Sequence, residues 1–174
     1  MKRSLNEISG MVVKAARGAG VPLGHCEDLG AAAAYLAATD PVRLDCVIGA
    51  LNGPHLPVDM DGLVFRNARA AMAGPIAVDA VLAGTAEVTL EDIDAPRLVL
   101  AMCASRGANV DHRNEGNALI LKQKYGELIM PVATSVTVSD LLWDQLKTLA
   151  AKTYVPATEA SRLAGAGAGL TDND

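Results

Sequence analysis

The chain has 174 residues, 51% of them hydrophobic, and a formal net charge of −5. That length suits one domain with its own core, and with no cluster of Lys or Arg there is no electrostatic reason to expect nucleic-acid or anionic-membrane binding. Aromatic residues are only 3% of the total, so the core has to be built from Ala, Val, Leu, Ile and Met, which favours closely packed helices and sheet over aromatic clusters.

The N-terminal Met1-Lys-Arg-Ser-Leu-Asn-Glu carries two positive charges with no apolar run after them, so it does not read as a signal peptide. A first helix is expected directly: Ser4 can cap it, Glu7 completes a capping box, and Leu5, Ile8, Val12 and Ala15 or Ala16 form its apolar stripe, with Gly18 as the stop. A second helix is expected over 27–38, with Leu29, Ala32, Ala33 and Leu36 on one face. Asp40-Pro41 reads as cap and first position of a short third helix that ends near Leu51. Asn52-Gly-Pro-His-Leu-Pro57 then breaks regular structure.

Past this break the period changes. Leu63-Val-Phe65 suggests a strand; Pro75 opens a helix through Leu82, which Gly84 ends; 86–90 alternates like a half-buried strand. Asp94-Ala-Pro96 looks like a new cap, and Leu98, Val99, Ala101 and Met102 fit a helix. Segments 118–123 and 127–132 flank Lys124-Tyr-Gly126 and read as a hairpin, with strand continuing to Val138. Ser139 caps a last helix with the stripe Leu142, Leu146, Leu149, Ala150. The expected fold class is α+β, N-terminal helices followed by a mainly antiparallel sheet with packed helices. Residues 1–164 form the single domain, and 165–174 a glycine-rich tail folding back on it or on a partner subunit. No apolar stretch reaches the roughly 20 residues of a membrane span, so a soluble cytoplasmic protein is expected.

Cysteines 26, 46 and 103 are widely spaced and form no CxxC pair, which argues against a thiolate zinc site and for small buried hydrophobes in a reducing compartment. The phosphate-loop, dinucleotide, GxSxG and HExxH signatures are absent, and no cofactor or metal is expected. His25 reads as a helix-start histidine bonded to backbone. His112, in Asp111-His-Arg-Asn-Glu-Gly116, reads as part of a solvated loop, and Asp79, between Val78 and Val81, as a weak candidate for a buried acid. Arg66 and Arg69 flank Asn67 at a strand end, where ligand-contacting side chains collect and where arginine offers a planar fork for carboxylate or phosphate. Surface ion pairing is the competing reading.

The most specific string is the C-terminus. Ser161 and Arg162 precede Gly165, Gly167 and Gly169, alternating with alanine, and the chain closes on Asp172-Asn-Asp174. Successive glycine N–H groups can form an anion-binding nest to which Arg162 adds charge; a structural tail lying across the domain explains the string equally well.

Ser4-Leu-Asn-Glu-Ile8, Ala15-Ala-Arg-Gly-Ala-Gly20, Gly74-Pro-Ile-Ala-Val-Asp-Ala80 and 154–174 resemble the bacterial proteins of domain-of-unknown-function family 3726. The resemblance implies a bacterial cytoplasmic protein and brings no activity, cofactor or catalytic residue. Two functions stay open. One is a metabolic enzyme or enzyme subunit that binds a small anionic metabolite through Arg17, Arg66, Ser161, Arg162, Gly165 and Gly167. The other is a non-catalytic accessory protein working as a homo-oligomer.

Overall fold

The structure, a computed structural model, describes residues 1–128 and 130–154. A short strand β1 (Lys2–Ser4) leads straight into helix α1 (Leu5–Ala19). The capping box forms as the sequence dictates: the Ser4 hydroxyl accepts from the Glu7 N–H, and the Glu7 carboxylate accepts from the Ser4 N–H at 2.9 Å. Gly18 does not end the helix. It lies within the last turn because a Cβ there would run into the carbonyl of Leu149, and Gly20, left-handed at φ 89, is the terminator.

Helix α2 (Leu23–Thr39) starts four residues earlier than expected, with Pro22 at the cap position and no side-chain cap. The expected third helix divides into a 3-10 turn at Pro41–Arg43 and α3 (Cys46–Leu51). Beyond the proline-rich break, β2 (Asp59–Asp61) pairs antiparallel with β3 (Val64–Arg66). Helix α4 (Ala70–Leu82) begins five residues before Pro75, which lies inside it. Its first turn is held from outside: the Asp94 carboxylate accepts from the Ala70 N–H at 2.7 Å, while Ala70, Ala71 and Ala73 are buried. Strand β4 (Val88–Glu91) and helix α5 (Pro96–Ser105) follow the expected pattern.

The predicted hairpin is replaced by another. β5 (Val110–Glu115) pairs antiparallel with β6 (Ala118–Gln123), so the segment read as a solvated loop is a strand, and the turn lies at Gly116-Asn117. Residues 127–128 and 130–132 are in no strand; β7 (Ser135–Thr137) pairs with β1 in a separate two-stranded sheet. Ser139 caps the last helix, α6 (Asp140–Ala151), accepting from the Leu142 N–H at 3.2 Å.

The larger sheet has the order β2-β3-β4-β6-β5, in which β3–β4 is parallel and the other pairings are antiparallel. The fold is α+β with a mainly antiparallel sheet. Phe65, Leu90 and Leu119 form one buried cross-strand row, and Val88 and Leu121 form the next. Helix α1 packs between α2 and α6, α2 also meets α5, and α5 meets α4. These layers share a core of Ala, Val, Leu and Ile that also takes in Phe65, Met102, Trp143 and two cysteines. Close approach needs small residues: at Gly30 of α2 a Cβ would stand 2.6 Å from Val13 Cγ2 and 2.9 Å from the Ser9 carbonyl of α1.

Candidate functional site

A cavity of about 260 Å³ opens between the proline-rich loop after α3 and the β3–α4 connection. The loop contributes an apolar wall of Leu56, Pro57 and Val58. The connection contributes Arg66, Asn67 and Arg69, and the first turns of α4 close the floor with Met72 and Ala73. Asn67 has a left-handed backbone at φ 46, which swings the chain out of β3 towards α4. Asparagine tolerates that region better than most residues.

The two arginines are held differently. Arg69, at the N-cap position of α4, forms an ion pair with Asp94 at 3.0 Å, and the pair is largely sheltered, with side chains 30% and 17% exposed. Its guanidinium lies against Gly53, where a Cβ would overlap it, and its Nε is buried without a partner among the described residues. Asp94 thereby serves two ends at once: one oxygen caps α4, the other holds Arg69. Arg66 is more loosely held. Its side chain is 46% exposed, with contacts of 3.4 Å to Asp61 and 3.9 Å to Asp59 across the hairpin.

Arg17 stands exposed in the last turn of α1 and does not line this cavity. Ser161, Arg162, Gly165 and Gly167 lie outside the described residues, as do Asp172 and Asp174. Of the six residues expected to bind a metabolite, two are described; Arg66 lines the cavity with Arg69 and Asn67, and Arg17 does not. Asp79 is not a buried acid: its side chain is 64% exposed and pairs with Arg106 at 2.8 Å. That arginine also reaches Asp28 at 3.5 Å and so links α2, α4 and α5. Burial pushes the Asp28 carboxyl above its ordinary value, against the attraction of Arg106.

The histidines depart from the expected pattern. Nδ1 of His25 and both ring nitrogens of His55 are buried without partners among the described residues, so Nδ1 supplies no backbone bond of the kind expected of His25. Cys26 and Cys103 are buried and Cys46 is half-buried. Burial raises all three thiols, Cys46 to about 11 and Cys103 to about 12, which makes them poor nucleophiles at neutral pH. Among the described residues no group of three or more His, Cys, Asp or Glu side chains could hold a metal ion, and no helix is long and apolar enough to cross a membrane.

The sequence gives little notice of the apolar wall, because Leu56 and Val58 sit in a segment that reads only as a break. Asp94 reads as the cap of α5, yet Ala95 occupies that position and the carboxylate serves α4 instead. The proximity of Arg66 and Arg69 at a strand end was the usable signal.

Compared with known proteins, residues 3–41 match the model of a family described as "Protein of unknown function (DUF3726)". The match agrees with the resemblance carried by Ser4-Leu-Asn-Glu-Ile8 and Ala15–Gly20. It covers less than a quarter of the chain, namely most of β1, α1, α2 and the residues up to Pro41, and reaches neither 74–80 nor the C-terminal string. No curated protein and no solved structure matches the chain.

Proposed function

We propose that this chain is a cytoplasmic bacterial metabolic protein, an enzyme or an enzyme subunit, that binds an anionic metabolite with an apolar portion. The observation that carries the reading is the meeting of Arg66 with Leu56, Val58 and Met72 in one cavity of about 260 Å³. Such a combination of an apolar wall and a few convergent polar groups is the usual make-up of a small-molecule site. Exposed ion pairs contribute only about 0–1 kcal/mol, so a carboxylate or phosphate can take over the long contacts of Arg66 to Asp59 and Asp61. The fork of the guanidinium then meets two oxygens of the ligand. Arg69 stays with Asp94 and acts as a positioning residue, adding positive potential at the same mouth.

The test is a thermal-shift series with inorganic phosphate and with carboxylates of increasing aliphatic length. A ligand present at 100 times its Kd stabilises by about 2.7 kcal/mol. Arg66→Gln, at a half-exposed side chain, should abolish that shift and leave the unliganded melting temperature nearly unchanged. If no anion raises the melting temperature of the unaltered chain, the reading fails. The same series on residues 1–164 tests the tail: undiminished affinity removes Gly165 and Gly167 from the site.

The accessory reading, a homo-oligomer, draws on a different observation. Leu56 is 66% exposed and Met60 47% exposed, beside the outer edge of β2, which has no strand partner there among the described residues. Burial of both in a dimer would show as a mass of two chains by light scattering, lost on Met60→Lys.

A further inference from the structure

A second, larger groove, of about 370 Å³, lies between the end of α2, one face of α5 and the start of β5. It shares no lining residue with the cavity at Arg66. Tyr35, Leu36, Leu100, Ala101 and Ala104 contribute apolar lining, and Thr39, Asn109 and His112 contribute polar lining. At its mouth Asp40 and Arg97 form a single contact of 3.3 Å, with side chains 36% and 58% exposed. Neither charge has another ion-pair partner among the described residues. The groove therefore offers one carboxylate and one guanidinium next to each other, beside a partly apolar lining.

The chemical complement of that arrangement is a ligand with an ammonium and a carboxylate on one carbon and an apolar group attached. We propose that this groove binds a free α-amino acid with an apolar side chain of leucine to phenylalanine size. Its ammonium donates to Asp40, its carboxylate accepts from the fork of Arg97, and its side chain covers Leu36, Leu100 and the two alanines. The exposed Asp40–Arg97 contact is of the weak kind that separates readily, and each partner gains a charge-assisted bond in place of the one it loses. The cavity volume falls within the range of small-ligand sites, about 300–1,000 Å³. The alanines present no side chains that would have to move.

Isothermal titration of the full chain with L-leucine and L-phenylalanine tests this, beside 4-methylpentanoate, which lacks the amine, and 3-methylbutylamine, which lacks the carboxylate. The amino acids should bind at least about tenfold more tightly than either truncated analogue, since each analogue leaves one member of the separated pair without a partner. Asp40→Asn and Arg97→Gln should each weaken amino-acid binding about tenfold or more, while Arg66→Gln should leave it unchanged. Both groove variants change exposed side chains, and an intact circular-dichroism melt confirms that they fold. The proposal is overturned if neither amino acid gives a binding isotherm. It is equally overturned if, in the Arg66→Gln chain, the deaminated acid binds as well as leucine, or if Asp40→Asn leaves binding intact. An Arg66→Gln chain that loses phosphate or fatty-acid binding yet keeps leucine binding shows the two sites to be separate.

Discussion

Arg69 depends on two residues distant in sequence, Gly53 for room and Asp94 for charge. Gly53→Ala places a methyl where the guanidinium lies, so the side chain must leave Asp94. The guanidinium is the far end of a flexible chain and can move without disturbing the backbone. Losing a partly sheltered ion pair of this kind costs on the order of 1 kcal/mol, visible as a lower urea midpoint with an unchanged slope. Asp94→Ala should cost more, because it also leaves the Ala70 N–H at the start of α4 without its acceptor, and loss of a helix cap alone costs about 0.5–2 kcal/mol. Asp94→Asn should fall between, keeping an acceptor oxygen and losing the charge. If Asp94→Ala proves no more destabilising than Gly53→Ala, the carboxylate is not holding α4.

The elements that were legible in the sequence are those whose signals are local. The Ser4–Glu7 box and the Ser139 cap each act within one turn, and both helices begin where those residues place them. Helix α4 was misplaced because its first turn is supported by Asp94, 24 residues from Ala70, so that Pro75 read as a start rather than an interior position. Strand β5, Val-Asp-His-Arg-Asn-Glu, shows no apolar alternation because it is an exposed edge whose charges discourage further pairing. Its turn at Gly116-Asn117 lost to the stronger-looking Lys124-Tyr-Gly126. The same limit governs the sites: Arg66 and Arg69 are neighbours in sequence and could be read together, whereas Asp40 and Arg97 are 57 residues apart and meet only through the packing of α2 on α5. That packing sets a prediction at this scale. Gly30 lets α2 approach the Ser9 carbonyl and Val13 of α1, and an added Cβ meets backbone there that cannot rotate away. Gly30→Ala should destabilise by about 1–3 kcal/mol, the usual cost of overpacking, despite alanine's better helix propensity. A stabilised variant in thermal or urea melts would show that the crossing is looser than its geometry.

Across the whole molecule, charges pull stability in opposite directions as pH falls. Glu7, held down chiefly by the Ser4 N–H, and Glu87, held down chiefly by the Arg113 guanidinium, have carboxyls below their ordinary values. Their contribution is complete above the unfolded value of about 4.3 and is lost as the pH drops through their lower folded values. Asp28 behaves in the opposite way. Its carboxyl is raised, first by burial between the helices, so the folded chain holds that proton more tightly than the unfolded one. Stability attributable to Asp28 therefore falls as pH rises from the unfolded value of about 3.9 through its folded value, and is flat beyond it. Arg106 limits this loss by favouring the charged form, while it also ties α2 to α4 through Asp79. Arg106→Gln removes that attraction and leaves the burial, so the folded Asp28 value moves higher and the interval of falling stability extends upward in pH. Urea midpoints taken from mildly acidic to neutral pH should decline further in Arg106→Gln than in the unaltered chain. Adding Asp28→Asn to that variant should remove the extra decline, because the carboxyl whose value burial raises is gone. A decline that survives in the double variant would assign the effect to another carboxylate, and a decline absent from Arg106→Gln itself would mean that water, not arginine, sets the state of Asp28.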